Sequence, residues 1–143
     1  MNKMNRKGFT MVELLSVVVI LGILLSISVV AYSKYKDKTS KNSYKMMHEN
    51  AALAAENYFM DVPGSDNVTI ADLVRYDYLA TTVDPWDNEK ICVGEVSIDS
   101  KIEKQDDAIE LYKYKVQLKC SQGCTCLIYP DKTPCDCAAD YQG

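Results

Sequence analysis

Three kinds of residue in this chain have the chemistry to carry a function: six cysteines, a lone histidine, and a carboxylate set inside an apolar run. Five of the cysteines crowd toward the C-terminus, at Cys120, Cys124, Cys126, Cys135 and Cys137, and Cys92 stands apart. Cysteines separated by one residue share one face of a strand. The pairs Cys124/Cys126 and Cys135/Cys137 flank Tyr129-Pro130-Asp131-Lys132, which reads as a type I turn with proline second. A hairpin centred between Pro130 and Asp131 sets Cys126 opposite Cys135 and Cys124 opposite Cys137. Cross-strand Cα separations of ~4.5–5.5 Å fall within the range a disulfide accepts. In an exported domain an even set of cysteines predicts bridges Cys92–Cys120, Cys124–Cys137 and Cys126–Cys135. The alternative is zinc: Cys124, Cys126, Cys135 and Cys137 on one face can close into a tetrahedral thiolate set, although their spacing is not the usual C-x₂-C.

The histidine, His48, stands beside Met47 in a helical pattern and reads as a surface or packing residue. No Ser-His-Asp or Cys-His arrangement can be built without it. No glycine loop for phosphate and no second glutamate beside Glu13 is present. The expectation is no enzyme, no catalytic residue and, outside the zinc alternative, no cofactor.

The carboxylate is Glu13. It lies in the run GFTMVELLSVVVILGILLSISVVAY, residues 8–32, of which residues 14–32 carry no charge. About 20 apolar residues at ~1.5 Å rise cross a bilayer's hydrocarbon core. Ser16, Ser26 and Ser28 fit such a helix because hydroxyls bond its own backbone. A carboxylate in hydrocarbon costs roughly 2.5–3.5 kcal/mol and calls for a partner. A basic leader, MNKMNRKG, precedes the run.

Lys7-Gly8-Phe9-Thr10-Met11-Val12-Glu13-Leu14 resembles the class III signal of type IV pilins and pseudopilins. The resemblance covers about 25 residues directly. It implies that a prepilin peptidase cuts between Gly8 and Phe9 and methylates the new terminus, and that Glu13 is the family's assembly glutamate. An ordinary secretory signal has a shorter apolar core with a small-residue site after it, and a plain anchor has no reason to carry Glu13. Lysines 34, 36, 38, 41 and 45 follow the span against one Asp37, so the positive-inside rule alone does not place the N-terminus in the cytoplasm. The resemblance does.

The elements that must carry these residues follow. Residues 33–60 continue a helical pattern without proline or glycine, with Tyr44, Met47, Ala51, Ala54 or Ala55, and Tyr58 on one stripe. Val62-Pro63-Gly64 ends it. Residues 63–90 read as a linker with one short helix, capped by Thr69 and turning Leu73, Tyr76 and Leu79 inward. Asp84-Pro85-Trp86-Asp87-Asn88 resembles the DPWGN-type loop of major pseudopilins and several pilins, with Asp87 in place of glycine, and Trp86 covers the core's edge. Residues 91–98 and 111–120 alternate as an antiparallel hairpin, with Cys92 facing Cys120, Val96 facing Val116 and Ile98 facing Tyr114 inside. Lys113, Lys115, Gln117 and Lys119 form the polar outer face, and residues 103–107 the charged loop.

The expected architecture is α+β: a long N-terminal helix, membrane-spanning in its first half, with a small antiparallel sheet head. The expected parts are a cleaved leader (1–8), a membrane or filament-core helix (9–32), the amphipathic half of that helix (33–61) and a head (62–143). Residues 1–45 carry eight Lys/Arg and two Asp/Glu, and residues 46–143 eight and eighteen, so +6 and −10 sum to the net −4. An acidic head argues against binding a nucleic-acid backbone. The leading expectation is a pilus subunit for adhesion or twitching motility, with prepilin peptidase, other pilin subunits and an inner-membrane assembly platform as partners. It starts in the cytoplasmic membrane and ends in an extracellular or envelope filament. A pseudopilin of type II secretion or competence DNA uptake, and a membrane-anchored ligand- or metal-binding module, are the alternatives.

Overall fold

Between Met11 and Asp61 the only backbone-loosening residue is Gly22, and the computed structural model has one helix, α1, over Met11–Asp61. The structure describes residues 8–102 and 111–142. The leader's Lys3, Arg6 and Lys7 and the charged loop 103–107 lie outside them. The chain divides into two units, one ending at Thr39 and the other beginning at Ser40.

In the first unit α1 buries nothing. Its large apolar side chains from Met11 to Val30 are all more than half exposed. This helix is long and apolar enough to cross a membrane. The span's hydroxyls are satisfied locally: Ser16 donates to Val12 O, Ser26 to Ile23 O and Ser28 to Leu24 O, each at 2.7 Å.

The second unit packs the remainder of α1 on a sheet. After α1 come β1 (Asn67–Thr69), α2 (Ile70–Arg75), β2 (Val93–Ile102), β3 (Leu111–Cys120), β4 (Gly123–Tyr129), β5 (Thr133–Cys135) and α3 (Ala139–Gln142). The sheet runs β1-β2-β3-β4-β5 with every neighbour antiparallel. Ala51, Ala52, Ala54 and Ala55 let α1 approach closely, and Val68, Ile70, Leu73, Val96, Val116 and Leu118 complete the core. Each fully buried aliphatic side chain contributes about 1.5–3 kcal/mol. Two residues earlier on α1 add hydrogen bonds: Ser40 Oγ donates to Pro85 O and Tyr44 OH to Leu118 O, both at 2.8 Å.

The architecture is the expected α+β one, and both hairpin registers agree with the sequence. Val96 pairs with Val116 and Ile98 with Tyr114, and Cys126 pairs with Cys135. Six details differ. The region expected as linker contributes a strand, β1, because its residues complete the edge of β2. Strand β2 begins at Val93, and Ile91 instead bridges to Val83. A bulge between Ile98 and Ser100 shifts the pairing beyond it. Tyr76 is exposed, since α2 ends before it. Gln117 is buried at 2 % exposure although its neighbours on β3 are lysines. Its amide donates to Glu95 at 2.8 Å and its carbonyl accepts from Ala138 N–H at 2.6 Å, so the C-terminal segment covers that part of the outer face. The turn after β4 also departs from a plain type I shape: the Tyr129–Pro130 peptide is cis and Lys132 has φ 58°.

Candidate processing and assembly segment

Gly8, Phe9 and Thr10 precede the first turn of α1 without regular structure. A Cβ added at Gly8 meets nothing within 4 Å, so nothing in this fold requires glycine there. Phe9 is 86 % exposed. Thr10 and Glu13 then form a reciprocal cap. Thr10 Oγ1 accepts the Glu13 N–H at 3.2 Å, and Glu13 Oε2 accepts the Thr10 N–H at 2.9 Å and the Thr10 hydroxyl at 3.2 Å. Helix starts leave four N–H groups without partners, and this exchange satisfies two donors there. A negative side chain also suits the positive end of the helix dipole. Glu13 therefore has a partner inside its own chain, through one carboxylate oxygen. Thr-x-x-Glu is the sequence signature of such a box, and it stands in the sequence as Thr10-Met11-Val12-Glu13.

The prokaryotic N-terminal methylation motif matches residues 3–29. Over this segment the chain is similar to the class III signal of type IV pilins and pseudopilins. The motif marks a structural class of protein and no enzyme family. With the apolar helix of the first unit, it fits a membrane-anchored precursor. No curated protein and no solved structure matches the chain.

The remaining chemistry of this pilin-like chain lies in the second unit. Cys92 is bonded to Cys120, Cys124 to Cys137 and Cys126 to Cys135. The bridges occupy opposite faces of the sheet. Cys120 follows Val116 and Leu118 along the core side of β3, whereas Cys126 pairs with Gln117, which points the other way. The bridge at Cys92–Cys120 ties the start of β2 to the end of β3 at the core. The other two fasten the C-terminal segment over the outer face.

Asp84 of the Asp-Pro-Trp loop is fully buried beside Cys92 and Cys120. Its Oδ1 accepts N–H groups from Trp86 at 2.8 Å and Asp87 at 3.3 Å, and its Oδ2 accepts Ser121 N–H at 2.6 Å. Burial pushes this carboxyl up, but the hydrogen bonds from Ser121, Trp86 and Asp87 together outweigh it and hold the group below the usual range. Asp84 thus joins its own loop to the β3–β4 turn. Trp86 is half-buried and meets the Tyr44 ring edge-on at 5.4 Å between centroids.

His48 is 1 % exposed, and neither ring nitrogen has a hydrogen-bond partner. Burial alone pushes its pKa down to about 4, so the ring is neutral near neutral pH. It packs edge-on against Tyr44 at 4.9 Å.

Proposed function

We propose that this chain is the structural subunit of a type IV pilus, assembled through its N-terminal helix into an extracellular filament for adhesion or twitching motility. One observation carries the reading. The apolar helix of the first unit leaves every large side chain exposed, and a Thr10–Glu13 cap heads it within a methylation motif. A helix apolar all round must be buried in lipid or in other helices. The same segment serves both, first as a membrane span and then as filament core.

In this account prepilin peptidase cuts between Gly8 and Phe9. The glycine is there for the peptidase's subsite, since the fold itself has room for a side chain. Cleavage leaves the Thr10 N–H in place, so the cap survives it. The new α-amine at Phe9 has a reference pKa of roughly 7.7–8.0 and is largely cationic. One oxygen of Glu13 holds the cap, and in this reading the other takes the Phe9 amine of a neighbouring subunit. Each charge then compensates the burial of the other, and losing one partner costs about 3–5 kcal/mol. An inner-membrane assembly platform extracts the subunits.

A pseudopilin of a secretion or DNA-uptake machine is the second reading. The Asp84-Pro85-Trp86 loop, with Asp84 and Trp86 built into the head, favours it. Shearing filaments from intact cells and identifying their subunits by mass spectrometry tests the pilus reading. It predicts this chain as a component of surface fibres. Filaments lacking the chain, with the chain confined to the envelope, contradict it.

A further inference from the structure

We propose that a groove on the second unit receives a lysine from residues 34–45 of a second copy of this chain, and so forms a contact between subunits. The inference rests on the filament reading above. The groove, about 410 Å³, lies between α1 and strands β3 and β4. Tyr112, Tyr114 and Tyr129 line it together with Lys132 and with Glu49 and Glu56 of α1. Between them Leu53 is 59 % exposed, so Glu49, Leu53 and Glu56 present one face of the helix.

The two glutamates differ. Glu49 is ion-paired with Lys132. Glu56 has no counter-ion among the described residues. Its charge is felt in the groove: burial first and the Glu56 carboxylate second raise the Tyr114 phenol to about 12. An aromatic wall beside a carboxylate with no counter-ion among the described residues suits a cation on an apolar stem. The stem of a lysine lies along the rings and its ammonium reaches the carboxylate.

The chain supplies such cations itself. Residues 33–45 hold five lysines against one Asp37, a net +4, while residues 46–143 carry net −10. Lys34, Lys36, Lys38 and Lys45 are exposed and have no counter-ion among the described residues. Within one chain, Lys45 is the nearest of these to Glu56, eleven residues away, or about 16 Å along a helix. That exceeds the reach of a lysine side chain, so a lysine of this segment can meet Glu56 only from a second copy. A polymer of identical subunits sets lysine-rich segments beside acidic heads at every repeat. A small metal ion has no stem for the tyrosines, and an anionic lipid headgroup is repelled by the glutamates.

The test places a photo-reactive benzoylphenylalanine at Leu53 of the full chain, irradiates assembled filaments and maps the cross-links by mass spectrometry. The expected cross-link joins position 53 to residues 34–45 of another copy. Cross-links only to other regions, to another protein, or none in normally formed filaments overturn the inference while leaving the filament reading intact. If the unsubstituted chain forms no filaments, the filament reading fails and the inference falls with it. As an independent arm, Glu56→Lys should lower the assembled fraction by about tenfold, because like charges then oppose each other. Adding Lys34→Glu, Lys36→Glu and Lys38→Glu to Glu56→Lys should recover most of it. No recovery, in a protein that still folds and is still cleaved, contradicts the pairing.

Discussion

Thr10 and Glu13 hold each other at the head of α1: the Glu13 N–H donates to Thr10 Oγ1 at 3.2 Å while Glu13 Oε2 accepts the Thr10 N–H at 2.9 Å. In the proposed filament this one carboxylate has two duties, capping its own helix and offering charge to a neighbour. The two are separable. Thr10→Ala removes the hydroxyl cap, at about 0.5–2 kcal/mol of helix stability, but keeps the charge. Glu13→Gln keeps an acceptor for the Thr10 N–H but removes the charge. Thr10→Ala should still assemble into filaments, and Glu13→Gln should be cleaved normally yet fail to assemble. Filament yield and leader cleavage, measured side by side, check this. Equal assembly defects in both variants would assign the whole effect to the cap.

Gly94 illustrates a constraint of backbone approach. A Cβ there would lie 1.9 Å from Gln117 O and 2.9 Å from Gln117 C, both backbone atoms. Strand β3 would have to move away from β2 at the centre of the sheet. Gly94→Ala should destabilise the second unit by about 1–3 kcal/mol or more. Thermal unfolding of the detergent-solubilised chain reads the change. By contrast, Gly22→Ala, where a Cβ meets nothing, should leave that transition in place.

His48 makes stability depend on pH. Its folded pKa of about 4 lies below the unfolded value of 6.5, so the unfolded chain binds the extra proton first. Stability from this group is complete above pH 6.5 and declines as pH falls toward 4, by about 3 kcal/mol in all. His48→Phe should flatten that part of the stability curve. A curve that keeps the same slope in the variant would assign the acid sensitivity to other groups.

The cysteines give a direct test of oxidation against zinc. We expect three disulfides in the exported protein: Cys92–Cys120, Cys124–Cys137 and Cys126–Cys135. Intact mass of the non-reduced chain should fall about 2 Da per bridge below the reduced mass. Bound metal in native spectra, with Cys124, Cys126, Cys135 and Cys137 alkylatable after chelation, would establish the zinc alternative. Loss of the Cys92–Cys120 bridge, whose loop spans 28 residues, should cost about 2–4 kcal/mol.

Much of the fold was legible because its signals are local. An uninterrupted helical run specifies α1, and strict alternation about Val96 and Val116 sets the β2–β3 register. The turn at residues 130–131 sets β4 against β5 in the same way. Strand β1 was hidden: it is three residues long and exists by pairing with β2. Gln117 was hidden too, because strand periodicity tells which residues share a face and does not tell what covers it. Of the site, Gly8, Phe9 and Glu13 stand out by type and spacing, whereas the cap role of Thr10 is overshadowed by the oddity of a glutamate in an apolar run. Asp84 as a buried bridge and the groove at Glu56 were beyond reach, since each unites residues far apart in the chain.

The central claim is that the Gly8–Phe9 bond is a processing site and that the segment after it is built for assembly. N-terminal mass analysis of the chain taken from assembled filaments tests this most directly. The account predicts a chain beginning at Phe9, with an N-methyl group and residues 1–8 absent, and Gly8→Val should leave the uncut precursor in the membrane. Assembled protein that retains Met1 would contradict it.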